Sequence, residues 1–233
     1  MRHCETDRGV ALLTALIVMA IVAAMGLGLA LTTNLEPLAA ANYESGRSAR
    51  LAAEAGVAVA LHELAGIADW NLALAGLAHS AVLEQGDTTV DLPDGSRAGL
   101  AELTARANCG RPGACTESER IDFTSARPWG PNNPLWRVFG HGRLDQLVPD
   151  GAGLPPAVVV VWVSDDPAEV DGDPLTDGGV GPGGEWRPGG CVLAVRAEAF
   201  GPRFAHHTVV ATAARPSPGC GPGARLVSLR GLN

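Results

Sequence analysis

The sequence contains no lysine. All 17 basic residues are arginine, against 25 acidic residues, and the formal net charge is −8. Phosphate contacts supply most of the affinity of nucleic-acid-binding proteins, and no basic stripe is present to make them. We therefore expect no nucleic-acid partner. Wholesale disorder is excluded as well, because 46% of the residues are apolar and the mean hydropathy is +0.13.

The sequence also lacks the short motifs that usually carry catalysis. It has no P-loop, no G-x-G-x-x-G after a strand, no H-E-x-x-H and no G-x-S-x-G. His206 and His207 are adjacent on a predicted strand, so they face opposite sides and cannot chelate one ion together. We therefore expect no enzymatic activity and no required cofactor.

Only one long apolar run is present, which excludes a polytopic membrane protein. No charged side chain occurs between Arg8 and Glu36, and the apolar part extends from Val10 to Leu31. At ~1.5 Å per residue it spans roughly 33 Å, enough to cross a hydrocarbon core of ~30 Å. Three interpretations compete: a secretory signal peptide, a plain single-pass anchor, and an anchor that is retained after a short leader is cleaved in front of it.

The first nine residues, MRHCETDRG, favour the third interpretation. This polar leader ends in Arg8-Gly9, and the apolar run begins at once with Val10. A glycine at the scissile position lets the backbone enter a protease site without a side-chain clash. A secretory signal usually has a shorter apolar region of ~7–15 residues.

After the apolar run the sequence predicts further helix to about Ala65, with a bend at Pro37. The total helix would span roughly 80 Å, which is too long to be buried in its own domain. Its surface is rich in alanine and glycine, which suit close packing between helices. A partial apolar stripe consists of Leu35, Leu38, Leu51, Val59 and Leu61.

The N-terminal region resembles that of PilX-type minor pilins of type IV pilus machinery. The resemblance lies in R-G-V-A-L-L-T-A-L-I-V, T-T-N-L-E, A-N-Y and L-A-A-E-A-G-V-A-V-A-L-H-E-L, within residues 8–66. It implies that prepilin peptidase cuts after Gly9 and leaves Val10 as the N-methylated first residue. It also implies a single-pass protein of the bacterial inner membrane with a periplasmic C-terminal domain. Other minor and major pilins would bind its N-terminal helix, and the protein would enter the pilus on assembly.

The fifth mature position would be Thr14, where major pilins carry glutamate. In that family the glutamate neutralises the free amine of a neighbouring subunit inside the bilayer, where an unpaired charge is costly. The departure implies a tip or priming subunit rather than a repeating one. Two alternatives remain open: a minor pseudopilin of a type II secretion system, and a membrane-anchored periplasmic binding or hydrolytic domain that is not cleaved at Gly9.

Four segments follow from these patterns: a leader at 1–9, a transmembrane helix at 10–33, an exported helix at 34–66 and a globular domain at 67–233. Within the last, a short helix is predicted at 96–107 with Ser96 as its N-cap. Strands are predicted at 135–140, 157–164, 192–200, 204–213 and 225–230. The turn at 200–203 predicts an antiparallel hairpin. A long helix packed on an antiparallel sheet is an α+β architecture, as in pilins.

Five cysteines occur, and removal of the leader would take Cys4 with it. Cys109 and Cys115 flank a Pro/Gly loop that can close on itself, and Cys191 and Cys220 flank the predicted hairpin. Two disulfides would fit an oxidising compartment. The alternatives are four reduced cysteines or a zinc site, although the spacing differs from the usual paired zinc pattern.

Residues 164–179 form the most acidic stretch, S-D-D-P-A-E-V-D-G-D-P-L-T-D-G-G. Asp171, Asp173 and Asp177 occupy relative positions 1, 3 and 7, and calcium takes ~6–8 oxygen ligands. Pro174 and the lack of a bidentate glutamate twelve residues along exclude an EF-hand. Calcium is therefore the candidate ligand, and a solvated acidic loop is the alternative.

Overall fold

The computed structural model describes residues 6–84, 88–125, 134–147, 154, 156–169, 173–178, 189–216 and 222–232. The chain divides into two compact units, an N-terminal unit of Met1–Glu44 and a globular unit of Ser45–Asn233. Helix α1 spans Thr6–Gly66 and runs through Pro37, so it contributes to both units. The predicted long helix is confirmed. The sequence placed a boundary at 66/67, whereas the compact units meet at 44/45.

The globular unit is α+β, as the sequence predicts. After α1 it contains α2 (Asn71–Leu74), β1 (Thr89–Asp91), β2 (Arg97–Gly99), α3 (Leu100–Cys109), α4 (Glu117–Ser125), β3 (Arg137–Arg143), α5 (Leu144–Leu147), β4 (Val158–Asp165), β5 (Val192–Phe200), β6 (His206–Ala214) and β7 (Arg225–Leu232). Strands β1 and β2 form a small antiparallel pair. Strands β3 to β7 form a five-stranded antiparallel sheet in chain order, so each is hydrogen-bonded to its neighbour along the sequence. All five predicted strands are confirmed, with ends within three residues of their predicted positions.

The sheet separates two hydrophobic cores. Every residue of β4 is buried, and its side chains alternate between the two faces as a strand requires. Val159, Val161 and Val163 face α1, together with Trp70 and Leu74. The other face packs on α3 and β1, where the Trp162 indole N–H donates to the hydroxyl of Thr104 at 2.9 Å. A continuous β-branched run is what a strand buried on both faces needs.

The face of α1 that packs on the sheet consists mostly of small residues. The buried face of the helix recurs at three- and four-residue intervals, as a 3.6-residue period dictates; its members are Ser45, Ser48, Ala49, Ala52, Ala53, Gly56, Val57, Ala60 and Leu64. Gly56 marks the closest approach. A Cβ atom at Gly56 would lie 2.8 Å from Cγ2 of Val159 and 3.1 Å from Cγ2 of Val161.

The apolar stripe predicted on α1 is therefore not the buried face of the helix. Leu51 is 47% exposed and Leu38 is 58% exposed, while Val59 and Leu61 are only partly buried against the core. The helix lies so close to the sheet that alanine and glycine fill the contact, and the larger leucines point elsewhere. In this part of α1, small residues pack on the chain's own sheet.

The N-cap predicted at Ser96 is wrong. Residues Arg97–Gly99 form β2, and α3 begins at Leu100 with Gly99 as its N-cap. The Ser96 hydroxyl instead donates to the Asp94 carboxylate at 2.6 Å, in the turn that joins β1 to β2. Pairing of Asp91 with Arg97 and Thr89 with Gly99 in this hairpin overrides the local helical tendency.

Candidate functional site

The N-terminal unit carries the apolar segment. Gly9–Ala30 has a mean hydropathy of 2.7 and none of it is buried, so it has the length and composition to cross a membrane or to act as a signal sequence. A helix that is apolar all round fits a bilayer because its backbone polar groups are paired internally.

The predicted processing residues lie at the start of this segment. Gly9 and Val10 are exposed, and no atom lies within 4 Å of the position that a Cβ of Gly9 would take. The Thr14 hydroxyl donates within the helix to the carbonyl oxygens of Val10 at 3.1 Å and Ala11 at 2.9 Å. Thr14 therefore needs no partner from another chain to satisfy its hydroxyl in an apolar medium.

In the globular unit the acidic stretch forms a carboxylate cluster. Asp165 and Glu169 are buried and Asp177 is partly buried, and one carboxylate oxygen from each lies within 4.8 Å of the other two. Asp165 ends β4, and Glu169 and Asp177 come from the connection that follows it. Three carboxylate oxygens are about half of the ~6–8 ligands that calcium takes.

The calcium residues predicted from spacing are only partly brought together. Asp171 lies outside the described residues. Asp173 is exposed and accepts hydrogen bonds from the Leu175 backbone N–H at 3.0 Å and the Thr176 hydroxyl at 2.8 Å, within its own turn. Asp177 alone joins the carboxylate cluster. Calcium binding stays a prediction, and calorimetric titration of the full chain with Ca²⁺, with Asp177→Asn as the control, tests it.

Asp177 is fixed by backbone and side-chain contacts. Its backbone N–H donates to the Asn71 side-chain oxygen at 2.7 Å, and its carboxylate accepts from the Cys191 backbone N–H. Burial raises the pKa of Asp177, while the Cys191 N–H and the charge of Arg215 oppose that shift. The carboxylate cluster is thus tied to α2 and to the start of β5.

Arg215 supplies the cation beside this cluster and also binds the end of α1. Its guanidinium donates to the carbonyl oxygens of Ile67 at 2.7 Å and Ala68 at 2.8 Å, and it lies 4.4 Å from the centre of the Trp70 ring. The Trp70 indole N–H donates to the Leu64 carbonyl at 2.9 Å. Arg215 thus holds the two residues that follow α1, and Trp70 adds a hydrogen bond to a carbonyl of the last turn of the helix. The sequence gives little indication of this arrangement, since its signal is a lone arginine after an apolar strand.

The predicted Cys109–Cys115 disulfide is present. Cys109 ends α3, and Gly110 follows in the left-handed conformation that commonly terminates a helix. Cys191 is disulfide-bonded as well. Cys220, its predicted partner, lies outside the described residues.

His206 takes part in a charged network on the sheet. Its Nε2 lies 2.8 Å from one carboxylate oxygen of Glu198, and the guanidinium of Arg196 donates to the other at 3.0 Å. Burial alone would raise the pKa of Glu198, but the contacts with His206 and Arg196 outweigh it and the pKa is lowered. The adjacent His207 does not share in this network.

We expect Glu198→Gln to lower stability by about 1–2 kcal/mol at pH 7, because hydrogen bonds to a charged group are lost. The carboxylate's contribution is present above the unfolded-state pKa of about 4.3 and is lost as the pH falls through its lower folded-state value. In thermal unfolding of the full chain in non-ionic detergent, the variant should therefore have a lower melting temperature than the wild type at pH 7. Near pH 3 the two melting temperatures should agree. Glu54→Gln, which breaks an exposed pair with Arg50, is the control and should change stability by less than about 0.5 kcal/mol.

No family model, curated protein or solved structure matches the chain. Its class therefore follows from its own architecture. It is an α+β protein whose N-terminal apolar helix continues into a segment packed on a five-stranded antiparallel sheet, which is a pilin-like arrangement.

Proposed function

We propose that this chain is a minor pilin that helps to initiate or cap a type IV pilus, with assembly through its N-terminal helix. The main support for the proposal is that two parts of α1 have different surroundings. One helix holds an exposed apolar segment of membrane length at Gly9–Ala30 and a segment from Ser45 onward whose small residues pack on the sheet. The resemblance of residues 8–66 to PilX-type minor pilins supports the same function.

Thr14 supports a minor rather than a repeating role. Threonine is uncharged, so it offers no counter-charge to the amine of a neighbouring subunit, and its hydroxyl already donates to the carbonyl oxygens of Val10 and Ala11 in its own helix. In a bilayer an amine without a counter-charge is costly. A subunit of this kind fits a position where no subunit amine has to be neutralised, such as the tip or a priming complex.

The partners and location follow from this function. Prepilin peptidase would cut after Gly9 at the bacterial inner membrane, with the globular unit in the periplasm. The retained helix would then leave the membrane and pack against other minor and major pilins. Disulfides at Cys109–Cys115 and at Cys191 fit an oxidising compartment.

Coexpression of the full chain with a prepilin peptidase tests the proposal. We expect mass spectrometry to find a mature chain that starts at Val10 and carries one N-terminal methyl group. Gly9→Val should leave the leader attached, since a branched side chain would obstruct the scissile position. Gly28→Val is the matched control: it lies in the same helix, also has no atom within 4 Å of its Cβ position, and should be processed normally.

Other outcomes separate the alternatives. An intact N-terminus would overturn the proposal and favour a membrane-anchored periplasmic domain, and a start near Asn34 would indicate ordinary secretion. If the chain is processed, copurification distinguishes the two assembly machines. Recovery with pilus subunits supports a minor pilin, and recovery with secretion-system subunits supports a minor pseudopilin.

A further inference from the structure

We propose that the outer edge of β7 binds an extended strand of a partner protein, which continues the five-stranded sheet by one strand. The strand that fits this edge alternates apolar side chains with acidic or hydroxyl side chains. Under the proposed function the partner is a different subunit of the same pilus, and only that identification rests on the proposed function. The edge itself belongs to the globular unit.

The strand β7 is exposed along nearly its whole length. Residues 225–231 are exposed, and only Leu232 is partly buried. In the described part of the chain β7 pairs with β6 alone, and after a bulge Ser228–Leu232 lie in regular register with Thr208–Thr212. The strand contains no proline to stop further pairing. The backbone groups of such an edge are a template for another strand.

One face of β7 continues the apolar core. Leu226 and Leu229 lie opposite Ala213 and Ala211, which are fully buried in the core between α1 and the sheet. The two leucines are themselves 48% and 43% exposed. The apolar surface of the sheet therefore extends beyond the part that α1 covers. Apolar side chains of an added strand would pack beside these leucines.

The other face of β7 is basic. Arg225 and Arg230 lie opposite Ala214 and Val210, on the side of the sheet away from α1. The strand has no carboxylate. Opposite charges on neighbouring strands stabilise their pairing, and like charges disfavour it. An added strand with apolar residues on one face and carboxylates on the other thus matches both faces of β7.

The opposite edge of the sheet is already covered by the chain itself. The Ser80 N–H donates to the Phe139 carbonyl of β3 at 2.9 Å. Glu84 and His141 exchange both backbone hydrogen bonds, at 2.7 and 3.2 Å. A second copy therefore cannot use its β3 edge as the strand that is added to β7.

Pairing of β7 with β7 of a second copy is disfavoured as well. The strand begins beside the end of α1, where the Gly223 N–H donates to the Ala65 carbonyl at 3.1 Å. It ends at Leu232, opposite Thr208 and near the turn that packs on Ser45. In an antiparallel pair the Ser45 ends of the two copies, from which α1 leads to the apolar segment, would therefore lie at opposite ends. Such a pair would also bring four arginines and no carboxylate together.

Binding of a synthetic strand to the full chain in non-ionic detergent tests the proposal. The probe is the fluorescent peptide TEVTVEVT, whose valines share one face and whose glutamates share the other. We expect saturable binding by fluorescence anisotropy and slower hydrogen exchange at residues 225–232. N-methylation of the two central residues of the peptide removes backbone donors towards both of its edges and should weaken binding about tenfold or more. TKVTVKVT, with lysines in place of the glutamates, should also bind more weakly.

Reversal of charge on the protein locates the contact without relying on a buried residue. Arg225→Glu should weaken binding of TEVTVEVT and strengthen binding of TKVTVKVT, because the strand then carries a carboxylate at an exposed position. Arg47→Glu is the matched control. Arg47 is an exposed arginine of α1 in the globular unit, and its replacement should leave both affinities unchanged.

Three results would overturn the proposal: equal binding of the N-methylated peptide, slowed exchange outside β7, and no saturable binding, in which case the arginines only guard the edge against aggregation. A dimer of the chain that protects β7 without peptide would identify a second copy as the occupant instead. The proposed function is judged separately by the mature N-terminus, which does not involve β7.

Discussion

Gly56→Leu should destabilise the globular unit by roughly 3 kcal/mol, at the upper end of what overpacking a core costs. The added Cβ would lie 2.8 Å from Val159 and 3.1 Å from Val161, both on β4, and 3.5 Å from Ala197 on β5. Valine cannot swing aside because its branched carbon is attached to a strand held on both sides. The helix must lift from the sheet, which opens the core along α1. Thermal unfolding of the full chain in detergent should show a loss of about 6–12 °C.

Gly46→Leu is the matched control for this effect. Gly46 lies in the same helix and also belongs to the globular unit, but it is exposed and has no atom within 4 Å of its Cβ position. There leucine should raise stability by about 0.5–1 kcal/mol, because it is a better helix former than glycine. Equal melting temperatures for the two variants would contradict the packing of α1 on β4.

Arg215→Met should cost roughly 3 kcal/mol, because two hydrogen bonds from a charged donor are lost and hydrogen bonds that involve a charged group contribute about 1.5–3 kcal/mol each. Methionine can still pack on Trp70, but the carbonyls of Ile67 and Ala68 lose their donors. The partly buried Asp177 also loses the positive charge that opposes the rise in its pKa. Equilibrium unfolding in urea, with the full chain in detergent, measures the loss.

Two further variants establish the cause. Arg50→Met removes an exposed arginine that pairs with Glu54, and it should change stability by less than about 0.5 kcal/mol. Adding Asp177→Asn to Arg215→Met should recover part of the loss, because the carboxylate left without its cation is then neutral. Strictly additive effects of the two substitutions would show that Arg215 acts only on the end of α1.

Much of the fold could be predicted because the relevant signals are local. The Val158–Val163 run, the Gly201-Pro202 turn and the apolar segment from Val10 each appear within a few neighbouring residues. The β-branched run predicts β4, the turn residues predict the β5–β6 hairpin, and the length of the apolar segment predicts α1. The prediction for Ser96 was wrong for a physical reason. A serine before a helix-forming run is a typical N-cap, but the residues that follow Ser96 pair with a strand six to ten residues earlier and therefore form β2.

The candidate site was less predictable because its contacts join residues far apart in the chain. Asp177 belongs to a stretch whose acidity is evident, but spacing alone grouped it with Asp171 and Asp173. In the structure it lies with Asp165 and Glu169, and Arg215 is close enough to influence its pKa.

The membrane-length apolar helix, the five-stranded antiparallel sheet and the Cys109–Cys115 loop could all be predicted before the structure, since each depends on composition or order along a short segment. The buried face of α1 could not be predicted in this way, because it depends on how the helix packs on the sheet. Hydrophobicity favoured the leucines, but the distance between helix and sheet is set by backbone approach at Gly56, and at that distance only small side chains fit.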